Sequence, residues 1–171
     1  MKNIVLIGLM GAGKTTSCKI ISEVLGYPLI DTDELIEKNT KTTINEIFET
    51  KGEQYFRELE TNTIKELSKK NGVIISTGGG VVENLINLEL LGKNGIIFYL
   101  ESTPEILYQR LKTDATRPLL KTENPLNTLK MLLAKRIRKY KLADYGINTD
   151  HSDFKKIADE IIEKYNEHKN S

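Results

Sequence analysis

Several things are scarce in this sequence, and each scarcity excludes something. Cysteine occurs once in 171 residues, at Cys18. A single thiol cannot close an intrachain disulfide, so the reducing cytoplasm is the expected compartment. The only histidines are His151 and His168, and no metal-ligand spacing joins them to other ligands, so neither receives a metal role. An excess of one charge is also missing: 25 Lys and Arg face 24 Asp and Glu, leaving a net charge of +1. That balance gives no footprint for nucleic acid or a membrane surface, and neither partner is expected. No apolar run approaches the ~20 residues of a membrane span. The opening Met1-Lys2 followed by Ile4 to Gly13 imitates a signal peptide. Gly13-Lys14-Thr15-Thr16 follows it, however, with no small-residue cleavage site. Linkers, internal repeats and low-complexity tracts are absent as well.

What is present has the size of one domain, spanning 1–171, with 39% apolar and 29% charged residues. A chain of this length buries roughly 70% of the surface that its unfolded form exposes. Strand-like apolar runs occur at Asn3-Ile7, Tyr27-Ile30, Val73-Ser76, Ile96-Leu100 and, more weakly, Tyr145-Asn148. Helical patterns separate them, at Lys14-Leu25, Glu34-Lys38, Ile44-Thr50, Glu53-Lys70, Leu85-Leu91, Pro104-Leu111, Asn127-Leu142 and Asp153-Tyr165. Continuous apolar strands alternating with helices predict an α/β fold: a parallel sheet covered on both faces, in three layers. In such sheets ligands bind beyond the carboxyl ends of the strands. The polar stretch Lys112-Asn124, with Pro118 inside it and Pro125 after it, reads as a mobile lid over about 112–125.

Gly8-Leu9-Met10-Gly11-Ala12-Gly13-Lys14-Thr15 satisfies G-x-x-x-x-G-K-[ST] between an apolar strand and a helix. In that setting glycines let consecutive N–H groups converge on phosphate oxygens, and the helix N-terminus adds donors and a positive dipole end. Lys14 is predicted to reach the terminal phosphates, and the Thr15 hydroxyl to ligate Mg²⁺.

Asp31-Thr32-Asp33 ends the second strand run. In an extended chain residues i and i+2 share a face, so both carboxylates are expected to turn toward the site. One suits hydrated Mg²⁺; the other suits a proton or hydrogen bond from an acceptor hydroxyl. The blander alternative makes Asp33 the cap of the helix that follows. Thr77-Gly78-Gly79-Gly80 offers bare backbone donors at the same sheet edge. Arg57 is either a surface partner of Glu53, worth ~0.3–0.5 kcal/mol, or a bidentate carboxylate clamp oriented by Glu60. Lys135-Arg136-Ile137-Arg138-Lys139 is a basic run in which the residues alone do not choose one cation. Arg117, extended before Pro118, suits a lid arginine that swings onto phosphoryl charge. Arg110 is a surface cation or an adenine-stacking group.

Taken in order along nearly the whole chain, these motifs resemble shikimate kinase. The resemblance rests on residues 8–15, Asp31-Thr32-Asp33, and Gly52-Glu53 with Phe56-Arg57 and Glu60. It also rests on Gly78-Gly79-Gly80, Arg110, Arg117-Pro118-Leu119, and Arg136 with Tyr140. It implies a nucleoside-monophosphate-kinase-like sandwich with a five-stranded parallel sheet and a mobile lid. It further implies transfer of the γ-phosphate of ATP to the 3-hydroxyl of shikimate, by a monomer. Gly11, Ala12, Gly13, Lys14, Thr15 and Thr16 would cradle ATP, with Arg110 near adenine and Arg117 closing on the phosphates. Thr15 would ligate Mg²⁺ directly, and Asp31 through water. Asp33 would contact the substrate hydroxyls as the base. Arg57 and Arg136 would clamp the substrate carboxylate, with Arg138 the alternative to Arg136. Gly78, Gly79 and Gly80 would face the substrate, with Gly79 donating a backbone contact. Rival readings are a gluconate-type kinase and a nucleotide-binding module without kinase activity.

Overall fold

The structure is a computed structural model that describes residues 1–112, 121–151 and 153–170. Its centre is a fully parallel five-stranded sheet of β1 (Asn3–Ile7), β2 (Leu29–Asp31), β3 (Ile74–Ser76), β4 (Gly95–Glu101) and β5 (Tyr145–Asn148), in the order β2-β3-β1-β4-β5. Ile4, Val5, Leu6 and Ile7 have no exposed surface, because β1 is paired on both edges and covered on both faces. That explains why the strand reads as an unbroken apolar run rather than an alternating one.

Among the described residues the helices are α1 (Lys14–Leu25), α2 (Thr32–Thr40), α3 (Ile44–Lys51), α4 (Glu53–Leu67), α5 (Ile86–Lys93), α6 (Pro104–Leu111), α7 (Pro125–Tyr140) and α8 (Phe154–Asn170). A single 3₁₀ turn, Val81–Glu83, precedes α5. The chain leaves β1 toward β2 and later leaves β3 toward β4 in the opposite direction. With right-handed crossovers this puts α1 on one sheet face, where α8 joins it, and α4 and α5 on the other. The crevice of such a sheet lies where the order reverses, outside the carboxyl ends of β1 and β3.

Most element boundaries match the sequence pattern, and the departures have physical causes. The second strand begins at Leu29, since Pro28 has no N–H to give the ladder; its carbonyl accepts from Ile74 N instead (2.9 Å). The helix after it begins at Thr32, so the Asp31-Thr32-Asp33 stretch is not extended through its length. Asp31 rather than Asp33 is the N-cap: its Oδ1 accepts from the backbone N–H of Asp33 (3.0 Å) and of Glu34 (3.3 Å). α3 opens with a capping box, in which Thr43 accepts from Glu46 N (3.2 Å) and Thr43 N donates to the Glu46 carboxylate (2.9 Å). Most of the predicted lid, residues 113–120, lies outside the described residues.

Candidate active site

Three loops meet in the crevice. The first is Gly8–Gly13, between β1 and α1. Gly13 has φ 93°, and a Cβ there would stand 2.1 Å from the Phe154 ring, so only glycine fits the last step into α1. Lys14 is the first residue of α1, and its ammonium donates to the carbonyls of Gly8 (2.6 Å) and Leu9 (3.1 Å). The lysine therefore arches back over its own loop. A cavity of about 330 Å³ opens here, lined by Gly11, Gly13, Lys14, Thr15 and Thr16, with Asp31 and Asp33 across from them and Arg110 and Phe154 at its rim.

The second loop is the short β2–α2 junction. Asp33 sits in the first turn of α2, largely buried, with its Oδ1 lacking a hydrogen-bond partner among the described residues. Burial, and then the charge of Asp31, push its carboxyl up from the usual carboxylate range. A buried acceptor with a raised pKa is suited to taking a hydroxyl proton. Thr32 holds this junction to the third loop by accepting from Gly78 N (3.2 Å).

That third loop is the glycine triplet after β3. A Cβ on Gly80 would come within 2.2 Å of the Arg57 guanidinium, and one on Gly78 within 2.9 Å of Asp33 Oδ1. The missing side chains make room for the two charged groups. Arg57, on α4, pairs with Glu60 at 2.9 Å and with Glu53 at 3.3 Å. Glu60 is wholly buried, and burial outweighs the Arg57 charge to bring its carboxyl up to about 7. Across the crevice α7 presents Arg136 and, one turn on, Tyr140, whose hydroxyl donates to the Gly79 carbonyl. Arg138 is exposed, about 200° around the helix from Arg136.

Arg57, Glu60, Gly80 and Arg136 line a second cavity of about 640 Å³, floored by Phe48 and Phe56, whose rings lie 4.9 Å apart. The two cavities share Met10, Asp33, Gly78 and Gly79. Arg110 hydrogen-bonds Gly11 O (3.2 Å) and the backbone carbonyl of Thr149, and its guanidinium lies 5.3 Å from the Phe154 ring centroid. Arg117 falls outside the described residues.

Sequence reasoning missed Phe48, Phe154 and Glu83. Phe48 lies inside the helical pattern Ile44-Thr50, which marks no function, and no motif marks Phe154. Glu83 carried no motif, yet it binds Arg136 Nε at 2.6 Å.

The site also fits Mg²⁺ chemically. Thr15 and Asp31 face the phosphate-loop cavity with oxygen donors, the ligand type that Mg²⁺ takes. Among the described residues no group of three or more acidic, His or Cys side chains would hold an ion without help from phosphate and water.

Known proteins resemble this chain in both sequence and fold. The family model described as Shikimate kinase matches residues 10–166. The shikimate kinase of Caldicellulosiruptor bescii is 49% identical over 162 residues, covering 95% of this chain and 94% of the relative. That of Thermodesulfovibrio yellowstonii is 44% identical over 165 residues, covering 96% and 95%. Among solved structures, shikimate kinase from Acinetobacter baumannii in complex with shikimate superposes with a TM-score of 0.94 at 38% identity, over 100% of this chain and 96% of that one. A phosphate loop at the sheet's switch point, opening directly onto an arginine-lined cavity, defines a P-loop phosphotransferase with an alcohol acceptor. Within that class the chain belongs to the shikimate kinase family.

Proposed function

We propose that this enzyme transfers the γ-phosphoryl group of ATP to the 3-hydroxyl of shikimate, giving shikimate 3-phosphate and ADP. The observation that carries this reading is the junction of the two cavities at Asp33, Gly78 and Gly79. A triphosphate seated on Gly11–Thr16 brings its terminal phosphorus to the same place where an acid held by Arg57 and Arg136 brings its hydroxyl. Asp33 takes the hydroxyl proton as the hydroxyl oxygen bonds to phosphorus, and the bond from phosphorus to the β–γ bridging oxygen breaks. Little covalent work falls to the protein; positioning and charge stabilisation supply most of the acceleration. Lys14 leaves the Gly8 and Leu9 carbonyls for the β- and γ-phosphate oxygens.

Arg57, with its geometry set by Glu53 and Glu60, and Arg136 grip the substrate carboxylate, for which the planar guanidinium fork is well shaped. Phe48 and Phe56 face the carbon ring, and Gly79 offers its backbone N–H. Arg110 and Phe154 flank the adenine side, and Arg117, outside the described residues, is the proposed further cation for the phosphates. Thr15, and Asp31 through water, would hold Mg²⁺, which when bound screens the phosphate charge.

The same reading takes residues 1–171 as one domain, acting as a monomer in the cytoplasm without nucleic acid or membrane. For the expectation of no nucleic acid and no membrane surface, the support is the even charge balance.

ADP release with ATP and Mg²⁺ across shikimate, gluconate and nucleoside monophosphates tests the proposal. Shikimate should stimulate release strongly and the others weakly; an equal or larger response to gluconate would overturn it.

A further inference from the structure

We infer that Glu83 is a positioning residue for the substrate carboxylate, acting through Arg136. This rests on the reading above that Arg136 binds that carboxylate. Glu83 ends the 3₁₀ turn that follows the glycine triplet, and its side chain is only 14% exposed. Three cations of α7 surround it: Arg136 Nε at 2.6 Å, Lys135 at 3.4 Å and Lys139 at 3.7 Å. Burial acts to raise its carboxyl, but the Arg136 bond and the charges of Arg136, Lys135 and Lys139 outweigh burial and hold it below the usual range. The cations of α7 thus favour its ionised form.

The geometry is that of a bracket. Glu83 takes the Nε corner of the guanidinium, so the fork cannot rotate about its stem. The terminal nitrogens are the ones a second carboxylate can meet end-on. One turn further along α7, Tyr140 donates to the Gly79 carbonyl. Residues 79 and 83 of one loop thus hold residues 140 and 136 of one helix face. Arg136 is held at its Nε by Glu83 while it lines the substrate cavity. Arg57 has an equivalent partner in Glu60 from its own helix, whereas Arg136 depends on a carboxylate from a distant part of the chain.

A second role for Glu83 would be simply to offset the charge of the α7 cations, and the two roles have opposite signs. If Glu83 only set the local potential, removing it would strengthen the site's hold on an anionic substrate. If it positions Arg136, removing it weakens that hold.

The test is steady-state kinetics of Glu83→Gln, Glu83→Ala and Glu83→Asp, alone and with Arg136→Ala. Glu83→Gln and Glu83→Ala should raise the KM for shikimate about tenfold, the loss of one charge-assisted hydrogen bond. The KM for ATP should stay within about twofold, and Glu83→Asp should recover part of the loss. In the Arg136→Ala background, Glu83→Ala should add less than about twofold. A KM for shikimate that falls or stays constant overturns the proposal, as does an undiminished tenfold loss on top of Arg136→Ala. An Arg136→Ala enzyme with an unchanged KM for shikimate would instead remove the carboxylate-clamp reading on which the proposal stands. Glu83→Gln keeps the side-chain shape, so it remains informative if Glu83→Ala folds poorly.

Discussion

Lys14 is nearly buried, and its ammonium donates to two carbonyls of its own loop. A cation parked on carbonyl oxygens is exchanged cheaply onto phosphate oxygens, which carry full charge. Lys14→Ala should lower kcat at least 10²–10³-fold, the scale for removing a preorganised charge donor, while circular dichroism stays native. Retention of more than a tenth of wild-type turnover would contradict its role. Gly80 tests a different kind of residue, one whose contribution is the lack of a side chain. A methyl group there would overlap the Arg57 guanidinium at 2.2 Å. Gly80→Ala should therefore push Arg57 off Glu60 and raise the KM for shikimate about tenfold or more, with the KM for ATP unchanged.

Among the described helices, α3 buries the fewest residues. It is eight residues long and buries only Ile47 outright, in a small cluster with Ile36 and Phe56 that is separate from the main core. It nevertheless supplies Ile44, Asn45, Phe48 and Glu49 to the arginine-lined cavity. So short a helix leans on its capping box. Thr43→Ala should cost about 1 kcal/mol, read as faster amide exchange in α3 than in β1 or α1. A uniform change in exchange across the chain would show that α3 does not open separately.

At the scale of the whole molecule, the buried Glu60 links the site to stability. Its carboxyl is raised to about 7 from an ordinary 4.5, so the folded state binds its proton more tightly than the unfolded state does. Its stabilising contribution is complete below about pH 4.5 and is lost as pH rises to about 7. The loss is on the order of 2–3 kcal/mol. Urea unfolding of wild type and Glu60→Gln at pH 5 and pH 8 should show the difference between them moving by that amount in favour of the variant at the higher pH. A pH-independent difference would mean Glu60 stays ionised throughout, held by Arg57. Asp33, raised in the same direction by burial and by Asp31, belongs to the same charge set, so substrate binding should alter both titrations.

Local order along the chain was enough to determine the layered α/β class, the positions of the five strands and the phosphate loop. These follow from apolar runs, glycine spacing and helix patterns, all of which act between near neighbours. The separate roles of the two aspartates were not legible, because whether Thr32 extends the strand or starts the helix depends on how β2 docks beside β3. Arg136 could be told from Arg138 only by which side of α7 meets the glycine loop. Glu83, Phe154 and the burial of Glu60 also belong to the tertiary structure. Each depends on partners dozens of residues away or on exclusion from water, and a carboxylate's neighbours and solvent are set by packing rather than by its place in the sequence.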